Sequence, residues 1–225
     1  MATVTADAEM IAARLADVRR RMEASGGDPE RIRIVAVTKG FGPDAVEAAR
    51  RAGLVDVGEN YAQELTSKAG VAPAGTIWHF LGPVQRNKVR RLAPVVSAWH
   101  GIDRPVAADA VASAAPGVEV MVQVNVAGEP GRPGCPPDQV GALVEHVRGL
   151  PLDLSGLMAV GPARIGERSR QCFHWLARKA SELGLRELSM GMSEDFEMAV
   201  AEGATTLRLG RVLFGARPDR DVLRR

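Results

Sequence analysis

Eight short apolar runs, each separated from the next by a stretch with helical spacing, constrain this 225-residue chain more than any other feature. The runs are Ile32–Thr38, Leu54–Glu59, Thr76–Gly82, Val96–Asp103, Val118–Asn125, Leu152–Val160, Arg186–Gly191 and Thr205–Arg211. Most are rich in Val, Ile and Leu, and too continuously apolar for a sheet with one wet face. That pattern predicts parallel strands buried on both sides. Between them, good helix formers recur at Asp44–Ala52, Ala62–Ala69, Val84–Leu92, Pro105–Ala115, Pro137–Arg148, Glu167–Leu183 and Glu194–Glu202. One more helix, Ala6–Ala24, precedes the first strand. Gly53, Gly70, Gly149, Gly184 and Gly203 follow helical stretches, where a left-handed residue is wanted. Eight such alternations in about 200 residues predict an α/β chain folded as a single (β/α)8 TIM-type barrel with an extra N-terminal helix. A doubly wound open sheet is the alternative. No composition shift or long linker divides residues 1–225, so one domain is expected.

Composition excludes several functions. Net charge is +2, and the tightest basic groups, Arg19-Arg20-Arg21 and Arg90-Arg91, fall within amphipathic helices and read as solvated faces. Neither a nucleic-acid surface nor a membrane span is predicted, and Met1–Met10 has no signal-like apolar run. Cys135 and Cys172 stand far apart without CxxC spacing, which suits a reducing, cytoplasmic setting. The four histidines lack metal-ligand spacing, so no metal is expected. No P-loop, no GxGxxG opening a helix and no nucleophile elbow occurs.

In a barrel, functional groups gather at the C-terminal ends of the strands. The polar residues there are Lys39, Glu59-Asn60, His79, Asn125, Ser189 to Ser193 and Arg208 to Arg211. Lys39 ends the first strand among apolar neighbours. Burial would lower its pKa and make the amine a nucleophile toward an aldehyde, although position alone equally suits a surface lysine opening a helix. Ser193 is placed to cap the helix after the seventh strand, and Gly210 ends the eighth. Loops after strands seven and eight commonly hold phosphate in this architecture. Arg208 would stand beside it and can donate to a pyridine nitrogen without protonating it. From spacing alone, a structural ion pair suits Arg208 better. His79 reads most simply as a satisfied core histidine.

Residues Val35-Ala36-Val37-Thr38-Lys39, Gly58-Glu59-Asn60-Tyr61, Trp78-His79-Phe80 through Lys88, Gly156-Leu157-Met158-Ala159, Leu188 through Phe196, and Arg208 through Arg217 appear in order. On these segments the chain resembles the YggS/PROSC family of pyridoxal phosphate homeostasis proteins. The resemblance implies a barrel like the N-terminal domain of alanine racemase, with pyridoxal 5'-phosphate in a covalent imine to Lys39. It implies that Arg208 faces the ring nitrogen, and that Ser193, Gly210 and the N–H of Arg211 hold the phosphate. Asn60, His79 and Met158 would line the pocket. It further implies a vitamin B6 carrier that supplies apoenzymes, with no catalytic residue; a weakly active racemase is the alternative. A monomer is expected. Arg211 and Pro83 depart from the family pattern, and the proline-rich Gly128–Cys135 loop is unusual.

Overall fold

The computed structural model describes residues 7–217. Its elements alternate throughout after the first helix. They are α1 (Ala8–Ala24), β1 (Arg33–Val37), α2 (Pro43–Arg51), β2 (Asp56–Glu59), α3 (Ala62–Ala69), β3 (Ile77–Phe80) and α4 (Arg86–Leu92). There follow β4 (Val96–Ile102), α5 (Pro105–Ala114), β5 (Glu119–Val124), α6 (Val140–Arg148) and β6 (Asp153–Ala159). The series ends with α7 (Glu167–Glu182), β7 (Glu187–Ser189), α8 (Phe196–Ala201), β8 (Thr206–Leu209) and α9 (Arg211–Phe214). The strands form a closed barrel in sequence order, every neighbouring pair parallel, with β8 pairing back onto β1. The open-sheet alternative is thereby excluded.

Successive strand residues face opposite ways, so each strand divides its side chains between the barrel interior and the helical shell. Ile34, Ala36, Val57, Val120, Val122, Leu157, Leu207 and Leu209 belong to the large apolar core between sheet and helices. Val35 and Val37, of opposite parity, pack with Leu81 in a separate small cluster. Most other buried groups of that parity are polar, among them His79, His100, Gln123, Ser189 and Arg208. The interior is therefore wetted by side-chain hydrogen bonds, while the shell supplies the hydrophobic stabilisation. Trp99, Phe173, Phe196 and Leu176 are wholly buried in that shell, each worth about 1.5–3 kcal/mol or more of transfer free energy.

Helix α1 buries Ile11, Leu15, Val18 and Met22 along one stripe, and Asp7 caps it by accepting from the Glu9 N–H at 2.9 Å. Ala6, where the sequence pattern starts this helix, lies outside the described residues. The helix packs on α2, α8 and α9, covering the seam where β8 meets β1. Arg21 departs from the solvated-face reading. It lies over the Phe196 ring at 4.6 Å and donates to Glu197 at 2.8 Å, tying α1 to α8.

Several boundaries differ from expectation. The eighth strand stops at Leu209, and Arg211, which the strand pattern had included, opens a four-residue helix. Helices α4 and α6 begin at Arg86 and Val140, after prolines that hold the preceding chain extended or turned. Gly53, Gly184 and Gly203 are left-handed as expected, whereas Gly70 and Gly149 keep right-handed helical angles.

Gly156 shows how tightly β6 and β7 close. A Cβ there would meet the Glu187 carbonyl oxygen at 1.9 Å. Gly156→Ala is expected to destabilise the fold by about 1–3 kcal/mol through overpacking, read from the midpoint of urea unfolding; an unchanged midpoint would show that the two strands can part freely.

Candidate ligand site at the barrel mouth

Alternation carries Val35 and Val37 inward and therefore places Lys39, the next residue of that parity, at the interior mouth of β1. The tight turn that follows keeps it there. The Phe41 N–H bonds the Thr38 carbonyl at 3.0 Å, and Gly40 takes φ +77°, which a side chain would resist. Outward-facing Thr38 anchors the same segment from behind. Its hydroxyl donates to Glu59 Oε1 at 2.6 Å, and Lys68 Nζ reaches that oxygen at 2.5 Å and the Thr38 carbonyl at 2.8 Å. Glu64 completes the clamp by accepting from the Gly40 N–H at 2.8 Å. Lys68 and Glu59 are almost wholly buried, and Glu59 Oε2 has no hydrogen-bond partner among the described residues. Burial pushes the Glu59 carboxyl upward, with Lys68 and Thr38 opposing the shift.

Lys39 itself enters no ion pair among the described residues. Burial holds its pKa below the usual lysine value, Arg217 and Arg208 push in the same direction, and Glu59 and Glu64 partly offset them. The amine is thus deprotonated more readily than a surface lysine's.

Lys39, Asn60, Met158, Ser193, Arg208, Gly210 and Arg211 all line one cavity of about 420 Å³, within the size range of small-ligand sites. Five basic side chains border it (Lys39, Arg132, Arg208, Arg211 and Arg217) against two acidic ones, Glu194 and Asp195. Arg211 is paired with Glu194 and Arg132 with Glu129, and the positive charge left on Arg208 and Arg217 favours an anion over a cation. Arg208 is held by three bonds: Nη1 donates to the Ser189 carbonyl at 2.6 Å and hydroxyl at 2.8 Å, and Nη2 to the Ala159 carbonyl at 2.7 Å. These leave two of the five guanidinium N–H groups for a ligand acceptor. Complete burial lowers its pKa to about 10, with Asp195 acting against the shift through space. The structural ion pair that spacing favoured is not formed among the described residues; backbone carbonyls replace it.

Two expected placements change. Ser193 does not cap α8. Asp195 occupies that position, and Ser193 Oγ instead accepts from the Gly210 N–H at 3.4 Å and the Val212 N–H at 3.2 Å. It joins the loops after β7 and β8, so both Ser193 and Gly210 remain at one wall. Arg211 extends into solvent toward Glu194, which leaves its backbone rather than its guanidinium nearest the turn. His79 is not a cavity residue. It has the inward parity, but Leu81 follows it on the same face and lines the cavity above it. His79 bonds Asp56 at 2.8 Å and His100 at 2.9 Å, the satisfied core histidine that its position suggested.

Sequence reasoning missed other lining residues. Arg132 comes from the Gly128–Cys135 loop and donates to the Gly161 carbonyl at 2.7 Å, so that unusual segment builds part of the wall. Arg217 packs its methylenes over Gly40. Neither lies at a strand end, and no periodic signal marks them. Lys68 was hidden as an ordinary helix lysine; its i,i+4 spacing from Glu64 was the available hint.

A closed parallel barrel with a lysine at the mouth of its first strand and a basic wall beside the last two defines the class of protein to which the chain is compared. Residues 6–218 match the family described as alanine racemase, N-terminal domain. The pyridoxal phosphate homeostasis protein of Pseudomonas aeruginosa is 42% identical over 229 residues, covering 96% of this chain and 97% of that one. That of Escherichia coli K12 is 36% identical, covering 92% and 97%. PipY of Synechococcus elongatus, solved with pyridoxal phosphate bound, superposes with a TM-score of 0.81 at 31% identity, covering 91% of this chain and all of that one. A D-threonine aldolase from Filomicrobium marinum, at 16% identity and a TM-score of 0.72, shares the fold. The chain belongs to the alanine racemase N-terminal domain family, and within it to the pyridoxal phosphate homeostasis proteins.

Lys68→Met would leave Glu59 buried without its counter-ion. A loss of about 3–5 kcal/mol is expected near neutral pH. Folding raises the pKa of Glu59, so its protonated form favours the folded state at low pH and this contribution is lost as pH rises through the folded value. The deficit should therefore shrink as pH falls from neutral into the acid range. Chemical denaturation of both proteins across that range measures it, and a pH-independent deficit would count against an ionised Glu59.

Proposed function

We propose that this barrel mouth holds pyridoxal 5'-phosphate as an imine on Lys39, and that the chain keeps and releases the cofactor for vitamin B6 homeostasis. The observation that carries the reading is the convergence of Lys39 and Arg208, on adjacent strands, upon one cavity bordered by five basic side chains. A lysine with a lowered pKa can attack an aldehyde near neutral pH. Bound cofactor supplies that aldehyde and an electron-withdrawing ring. Arg208 would offer its remaining N–H groups to the pyridine nitrogen, and a permanently charged donor gives up no proton to it. Ser193, Gly210 and the N–H of Arg211 would hold the phosphate, with Arg132 and Arg217 adding positive charge nearby. Asn60 and the apolar Met158 would flank the ring. Relatives named for pyridoxal phosphate homeostasis, and a neighbour solved with that ligand, support the assignment.

What faces the cavity supports carriage rather than catalysis. Racemisation of an amino acid needs two bases on opposite faces of its α-carbon. Tyr61, the chain's one tyrosine, is exposed at the start of α3 and does not line the cavity. Recipients would be pyridoxal phosphate-dependent apoenzymes, served by a cytoplasmic monomer. Among the described residues no helix is long and apolar enough to cross a membrane.

The test is absorbance of the purified protein with added cofactor, before and after borohydride reduction, with peptide mapping. A visible band that bleaches and leaves a pyridoxyl mass on Lys39 is expected. Lys39→Ala should lose the band while remaining folded. Arg208→Ala should retain it but release cofactor faster on dialysis. A band that persists in Lys39→Ala overturns the attachment site; no band in the parent protein overturns the function.

A further inference from the structure

Below the cavity, five polar side chains from five strands form one continuous hydrogen-bonded line. Arg208 Nη1 on β8 donates to Ser189 Oγ on β7 at 2.8 Å. Ser189 Oγ lies 2.9 Å from His100 Nδ1 on β4, and His100 Nε2 lies 2.9 Å from His79 Nδ1 on β3. The line ends where His79 Nε2 meets Asp56 Oδ1 at 2.8 Å, at the N-terminal end of β2. Ser189, His100 and His79 are buried, whereas the Asp56 side chain is 19% exposed. None of these four lines the cavity.

The chemistry of the end group sets the direction of every link. A carboxylate only accepts, so a neutral His79 carries its proton on Nε2 and presents Nδ1 as an acceptor. His100 must then donate from Nε2, which leaves its Nδ1 to accept. The Ser189 hydroxyl donates there, turning its lone pairs to Arg208. Every donor points from the cavity toward Asp56, and all atoms are satisfied with both histidines neutral. Burial holds His100 well below the usual histidine range, and the charges of Arg208 and Arg33 act in the same direction. Of the three acceptors that hold the guanidinium, two are backbone carbonyls. The Ser189 hydroxyl is the one whose orientation depends on a proton elsewhere.

We propose that His100 and His79 are positioning residues, which orient the Ser189 hydroxyl from Asp56 and so aim the free N–H groups of Arg208 at the ring end of the bound ligand. The proposal rests on the reading of Arg208 as the partner of the pyridine nitrogen. It assigns a binding role to a carboxylate at the opposite end of the barrel, which a packing role for the histidines would not.

The variants are Asp56→Asn and Ser189→Ala. Asparagine offers a donor or an acceptor at the same place, so it no longer imposes a direction; alanine cuts the line beside Arg208. Imidazole nitrogen NMR of the cofactor-free protein reads the first effect without any ligand. Both buried histidines should be protonated on Nε2 in the parent, and Asp56→Asn should lose that single state. Titration with pyridoxine 5'-phosphate, which lacks the aldehyde, reads the grip on ring and phosphate without Lys39. Each variant should bind it about tenfold more weakly, the value of one misdirected charge-assisted hydrogen bond, and Asp56→Glu should recover part of the loss. Parent histidines protonated on Nδ1 would overturn the proposal. So would undiminished affinity in the folded variants while the parent binds, and the cofactor reading would then stand. If Asp56→Asn does not fold, Ser189→Ala decides alone by the same affinity criterion. Failure of the parent to take up either pyridoxine or pyridoxal phosphate would defeat the cofactor reading and this proposal together.

Discussion

Closing eight parallel strands into a ring sends every second side chain into a space with little room and no bulk water. What those residues are decides what the barrel can be. Here the outward half is almost uniformly aliphatic or aromatic and packs against the helices, so cohesion does not depend on the interior. The inward half is free to carry two histidines, a glutamine, a serine and an arginine. Buried polar groups are tolerated when they are hydrogen-bonded, and the Arg208-to-Asp56 line meets that condition link by link.

The same alternation explains the mouth. Thr38 and Lys39 are neighbours in sequence but face opposite sides of β1. The outward residue is fastened to a buried ion pair, and the inward one has no ion-pair partner among the described residues and lies beside positive charge. A structural lysine, Lys68, thereby keeps its charge compensated, while Lys39 is disposed to lose its own. Placing these two amines on either side of one strand lets the same few residues supply rigidity behind the strand and nucleophilicity in front of it.

Much of the site was legible. Strand-end position picked out Lys39, Asn60, Met158, Ser193, Arg208 and Gly210, because a parallel barrel gathers its C-terminal strand ends by construction. The family resemblance placed His79 at the pocket wall, whereas position alone read it as a core histidine. Period two says which face a residue takes, but not which layer, and Leu81 closes the layer above it. Ser193 was placed at the correct wall for the wrong reason, since the cap fell to Asp195 and the hydroxyl turned to the following loop. Arg132 and Arg217 were beyond reach: they lie on connections whose path is set by what they pack against, and no local periodicity encodes that.

The sequence by itself determined the eight alternations and the buried parallel strands, because these follow from hydrophobic period and turn chemistry within short windows. Only the tertiary structure decided that Arg208 is held by carbonyls rather than by a carboxylate, that Lys68 lies behind Lys39, and that two histidines connect Asp56 to Arg208. Those are contacts between residues up to 89 positions apart in the chain. Their partners are chosen by register and layer in the closed ring, quantities that no local stretch of sequence contains.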